Sequence, residues 1–233
     1  MINVDEACAW VQEALRERAD PEAALSMMAY MKTEMPFYGV KSPNRKEIAR
    51  SLHASYPPAG CSDVWSMVDS LWSLPHREEK YLAIGYGRRF QGLLEAGDLE
   101  RVGRLITAGA WWDFVDEIAV HIVGDIVRRE PDQAWPVIEA WNEHDDLWLR
   151  RTSLICQVAS KEVTDTDRLF RFCLARSGET EFFIRKAIGW ALRQYSWTEP
   201  DVVRRFLAEE GYRLSGLSRR EAAKHLDRLA TRT

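Results

Sequence analysis

Trp112 and Asp116 stand four residues apart in a run, Trp112 to Val127, whose apolar residues Trp112, Val115, Ala119, Ile122, Val123 and Ile126 recur at helical spacing. An indole and a carboxylate therefore stack on one helix face, and the rest of that face is apolar. A carboxylate in such surroundings needs a partner or a purpose, because a lone buried charge is costly. A functional site is one reading. Pairing with an arginine for purely structural reasons is the other reading. A second run, Phe182 to Arg193, puts Lys186, Trp190 and Arg193 on one face at i, i+4 and i+7. Two helices thus each set an aromatic ring beside charge, with opposite signs.

The chain that must position these residues has 233 of them, 46% hydrophobic and 29% charged, an ordinary globular composition. We read it as one domain, 1–233, since no Ser/Gly-rich linker divides it and the loosest connection, Tyr56-Pro57-Pro58-Ala59-Gly60, is short. The net charge of −4 does not suggest a nucleic-acid binder, but its distribution is uneven. From Glu181 onward 11 Lys and Arg face 7 Asp and Glu, a net of +4, against −8 for the remainder. A local basic surface on an acidic protein is compatible with that split. Arg outnumbers Lys 25 to 7, and Arg is the side chain suited to bidentate phosphate contacts, although codon bias explains many of them equally well.

Cys8, Cys61, Cys156 and Cys173 lie far apart, with no C-x-x-C or Cys/His cluster, so we expect neither a zinc site nor a disulfide framework. None of the five histidines has ligand or triad spacing, and neither a P-loop nor a G-x-G-x-x-G fingerprint occurs, so no metal and no nucleotide cofactor are expected. No signal peptide and no membrane span are evident, and a reducing cytoplasm fits.

Periodicity predicts helices at roughly 3–18, 21–32, 43–55, 62–73, 76–91, 98–108, 111–129, 131–143, 146–160, 165–176, 180–197, 199–210 and 218–230. Start signals recur at Asp20-Pro21, Ser42-Pro43, Ser62-Asp63, Glu130-Pro131, Glu199-Pro200 and Ser218-Arg219. Short helices on short loops suggest stacked helical hairpins, an α-solenoid, though an irregular bundle has the same periodicity.

Several stretches carry a specific resemblance. Ala110 to Asp116, followed by Gly124-Asp125-Ile126, resembles the AlkD family of DNA alkylation-repair glycosylases, and so does Glu181 to Tyr195. Further matches, in family order, are Ala29-Tyr30-Met31-Lys32, Phe37-x-Gly39-x-x-x-Pro43-x-Arg45, Leu71-Trp72-x-Leu74-Pro75-x-Arg77-Glu78, Leu147 to Arg151, and Leu217-Ser218-Arg219-Arg220-Glu221-Ala222. The resemblance implies an all-α solenoid of HEAT-like repeats, curved around a concave DNA-binding face. It implies hydrolysis of the N-glycosidic bond of cationic alkylpurines such as 3-methyladenine and 7-methylguanine in duplex DNA, without a cofactor.

In that frame Asp116 matches the family's catalytic carboxylate, and Trp112 and Trp190 its aromatic pair at the lesion. Arg151 matches an arginine that contacts the DNA backbone. Arg193, Lys186 and Tyr30 are further DNA-binding candidates. Trp111, whose i+4 neighbour is Val115, is expected to pack, and Asp125 to pair with an arginine. The expected protein is a bacterial, cytoplasmic monomer, nucleoid-associated when bound to DNA. Two alternatives stand beside it: a non-catalytic HEAT-repeat scaffold binding DNA or protein, and a lyase using a Schiff-base lysine, for which the chain has only seven lysines and the resemblance implies none as nucleophile.

Overall fold

A computed structural model describes residues 2–231. The described residues are helical with no strand, an architecture of the helical-repeat class, and they divide into two compact units between Leu94 and Glu95.

The first unit contains α1 (Val4–Arg16), α2 (Pro21–Met31), α3 (Ser42–Ser55), α4 (Cys61–Ser73) and α5 (Arg77–Arg89). Helix α1 buries Ala7, Val11, Ala14 and Leu15, the three-and-four spacing of an apolar stripe, against α3, α4 and α5. Asp20 caps α2 as expected, its carboxylate accepting from the Glu22 and Ala23 amides. The connection from α2 to α3 is fixed from α5. Glu78 is fully buried, and its carboxylate accepts from the amides of Tyr38 (3.1 Å), Gly39 (2.9 Å) and Val40 (3.0 Å). Gly39 has φ +85°, and a Cβ there would fall 1.9 Å from the Asp20 carbonyl oxygen, so only glycine fits. Two of the matched motifs, around Gly39 and around Glu78, are thus the two halves of one structural clamp.

The second unit contains α6 (Leu99–Gly109), α7 (Trp112–Glu117), α8 (Gly124–Arg129), α9 (Pro131–Glu143), α10 (Leu147–Ile155), α11 (Thr166–Ala175), α12 (Phe182–Tyr195), α13 (Pro200–Glu210) and α14 (Gly216–Ala230). Helices α10, α12 and α14 pack one on the next. Behind them α9, α11 and α13 form a second row. Trp135 and Phe172 join α9 to α11 with ring centroids 6.3 Å apart, and Phe170 stacks on Phe206 of α13 at 4.1 Å. Glu139 of α9 adds ion pairs to Arg168 and Arg171 of α11.

Helix positions follow the periodicity closely, but some caps do not. Ser42, Ser62 and Ser218 lie inside their helices, and Lys41, Gly60 and Ser215 occupy the cap positions. For α14 the reason is visible: Ser215 Oγ accepts from the Ser218 amide, while Ser218 Oγ donates to the Arg185 carbonyl of α12. The expected helix 146–160 ends at Ile155, where Gln157 turns to exchange two hydrogen bonds with the Asp165 backbone. The expected helix 111–129 is continuous but contains a π-helical stretch, Ile118–Val123, between α7 and α8. Gly124, at its end, lets the helix approach α10, since a Cβ there would lie 2.4 Å from the Cys156 carbonyl oxygen.

Candidate active site

Asp116 sits on α7 one turn from its start, between the fully buried Val115 and the buried Ile118. Its partner comes from α10. Arg151 Nε donates to Asp116 Oδ1 at 2.7 Å and Nη2 to Oδ2 at 2.8 Å, a bidentate, charge-assisted pair. Arg151 Nη1 donates to the Phe183 carbonyl of α12 at 2.6 Å. The Arg151 side chain is 6% exposed and that of Asp116 19% exposed, so water reaches the carboxylate but scarcely the guanidinium. Asp146 helps set the register of α10 by capping it through the Trp148 and Leu149 amides.

An aromatic cluster supports this triad of helices. Trp111 lies 6.1 Å from Trp148 and 5.6 Å from Phe183, and Trp148 lies 4.9 Å from Phe183, all between ring centroids. Trp111 is therefore a packing residue, as its spacing implies, and its buried Nε1 has no hydrogen-bond partner. Trp112 and Trp190 are each half-buried. Burial pushes the Asp116 carboxyl above the usual carboxylate range. The hydrogen bonds and charge of Arg151 oppose that shift without cancelling it, and Asp113 and Glu117 add to it.

Lys186, Trp190 and Arg193 share the face their spacing implies, and the two cations meet one acid of α14. Lys186 Nζ lies 3.0 Å from Glu221 Oε1 and Arg193 Nη1 2.6 Å from Glu221 Oε2. Lys224 Nζ reaches the same carboxylate at 2.5 Å. The Glu221 side chain is 7% exposed. Burial pushes its carboxyl up, but hydrogen bonds and charge from Lys224 and Lys186 more than reverse this and hold it down at about 2. The approach depends on Gly189, where a Cβ would stand 2.4 Å from Glu221 Cβ.

Arg151 is thus first a partner of Asp116, and a duplex phosphate would meet a guanidinium already holding two acceptor groups. Asp125 pairs with Arg129 at 2.7 Å, the arginine partner expected for it, and Arg150 pairs with Glu179 at 3.0 Å. Tyr30 is 75% exposed on α2 in the first unit. Among the described residues no three His, Cys, Asp or Glu side chains gather as metal ligands, and no helix is long and apolar enough to cross a membrane. Sequence reading offered an arginine partner for Asp116 without identifying it as Arg151, and it gave no role to Phe183 or Glu221. The signal for the pairing was present in the need of a half-buried carboxylate for a partner.

A family model described as DNA alkylation repair enzyme matches residues 11–226. Among solved structures, a predicted DNA alkylation repair enzyme from Enterococcus faecalis superposes with a TM-score of 0.81 at 29% identity, covering 90% of this chain and 97% of that one. Comparison with curated proteins returned no match.

Proposed function

Because the chain belongs to the DNA alkylation repair enzyme family, we propose that it is a monofunctional glycosylase that hydrolyses the N-glycosidic bond of cationic alkylpurines in duplex DNA. An N3- or N7-alkylated purine carries positive charge and leaves as a neutral base, so no acid is needed to protonate it. The deoxyribose gains oxocarbenium character as the bond breaks. Asp116 stabilises that charge and orients the water that attacks the anomeric carbon, and the water's proton passes to the carboxylate or to solvent. Trp112 and Trp190 offer ring faces whose quadrupole attracts the same developing charge. Lys186 and Arg193 hold the phosphate backbone, with Tyr30 a further contact from the first unit. Such an enzyme works without cofactor, as a monomer, in a bacterial cytoplasm.

The observation that carries this reading is the Asp116 carboxylate itself. It is fixed by two hydrogen bonds of 2.7 and 2.8 Å, yet left open to solvent on one side. A preorganised charge costs no reorganisation when the transition state forms. The same ion pair favours a second reading, a non-catalytic helical scaffold, because Arg151 satisfies Asp116 without any substrate. Release of methylated bases from alkylated duplex DNA by the purified protein separates the two. Asp116→Asn lowers excision by on the order of a hundredfold or more while duplex binding persists. Undiminished excision by Asp116→Asn, or none by the wild type, refutes the proposal.

A further inference from the structure

Resting on that reading, we propose that Glu221 is a positioning residue that gathers Lys186, Arg193 and Lys224 into one phosphate-binding cluster, with Lys224 a further contact to the duplex backbone. The arrangement is inverted relative to an ordinary salt bridge. The acid is inside, 7% exposed, and the three cations around it reach solvent, Lys224 with 51% of its side chain exposed. One cation would suffice to satisfy the carboxylate, and three leave two positive charges uncompensated.

Each cation also keeps N–H donors that Glu221 does not use, because an ammonium has three and a guanidinium five. Lys and Arg side chains are rich in rotamers, and tying them down beforehand removes part of the entropy that phosphate binding would otherwise cost. The cluster lies where a backbone contact is useful, since Lys186 and Arg193 flank Trp190 on the face of α12 that carries the proposed lesion-contacting ring. Gly189 permits the approach of α12 to α14 that brings Lys186 and Arg193 to the acid Lys224 already meets within α14.

This role makes a prediction opposite in sign to simple electrostatics. Glu221→Gln raises the net charge by one unit, which alone strengthens binding to a polyanion. Loss of positioning weakens it. The test is fluorescence anisotropy of a labelled, undamaged duplex across a salt series, with melting curves to establish that each variant folds. Lys224→Gln, an exposed change, lowers the salt slope by about 0.9 and weakens binding about eightfold at 0.1 M salt, the effect of one lost phosphate contact extrapolated from 1 M. Glu221→Gln weakens binding at least as much despite its added positive charge. Unchanged or tighter binding by Glu221→Gln overturns the positioning role, and an unchanged slope in Lys224→Gln overturns the contact. Should Glu221→Gln fail to fold, Glu221→Asp, which keeps the charge but withdraws the carboxylate by one methylene, takes its place: weakened duplex binding supports the positioning role and unchanged binding overturns it. Wild-type protein that binds duplex through these residues but releases no methylated base would refute the glycosylase reading and leave the cluster standing. Wild-type excision with both variants binding normally would remove the cluster alone.

Discussion

Arg151→Ala separates two roles that a matched arginine can have. In the structure its guanidinium spends two donors on Asp116 and one on the Phe183 carbonyl. Removing one partner of a buried ion pair costs about 3–5 kcal/mol, because the other charge is left uncompensated. Water touches the 19%-exposed Asp116 side chain, which places the expected loss near the lower end, about 3 kcal/mol. For a protein of this size that is a fall in Tm of roughly 10 °C.

The loss also has a pH signature. The Asp116 carboxyl is already raised by burial, and without Arg151 it rises further. A folded-state value above the unfolded one means that the folded state binds the extra proton, so stability declines as pH rises through that window. The deficit of Arg151→Ala is therefore largest at neutral pH and shrinks in acid, where Asp116 is neutral in both proteins. Thermal melts at several pH values, with an Asp116→Asn, Arg151→Ala double-mutant cycle, measure it. The expected coupling is about 2 kcal/mol or more, and the salt slope of duplex binding stays unchanged. A normal Tm with the slope reduced by roughly 1 refutes the reasoning and returns Arg151 to a phosphate.

Two further predictions concern the chemistry. Uracil and 1,N6-ethenoadenine, being neutral, are excised poorly or not at all in single-turnover assays that release 7-methylguanine and 3-methyladenine; efficient uracil excision would sink the charge-stabilisation mechanism. The rate of excision falls on the acid side with a midpoint above the ordinary carboxylate value, since Asp116 must be ionised and its carboxyl is raised. A midpoint at or below the ordinary value would contradict that environment.

The fold was largely readable from the chain because helices announce themselves locally. Apolar stripes such as Val64, Met67, Val68 and Leu71 gave α4, and Asp20-Pro21 gave the start of α2. The candidate site was readable only in part. The spacings Trp112–Asp116 and Lys186–Trp190–Arg193 express a shared helix face, which four residues suffice to encode. The partners that make those faces into a site lie 35 residues away for Asp116 and Arg151, and 28 for Arg193 and Glu221. No periodicity reports such a pairing, because it is decided by which helices pack. The π-helical stretch was likewise invisible, since its composition, Ile118-Ala-Val-His-Ile-Val123, suits an α-helix equally well.

That stretch has a consequence for how this region tolerates changes of length. A wide turn is an α-helix that has accommodated one extra residue without passing the offset on. Here it lies between two fixed points, Asp116 clasped by Arg151 and Gly124 pressed on the Cys156 carbonyl, both against α10 or its cap. Deleting one residue from Ile118–Val123 would restore α-helical winding and leave the two fixed points in register, whereas a further insertion or a second deletion would turn one against the other by about 100°. The interval between the Trp-Trp-Asp and Gly-Asp-Ile stretches therefore tolerates one change of length and resists the others. Homologous chains that share both anchors should carry either this number of intervening residues with the wide turn or one fewer with a plain α-helix.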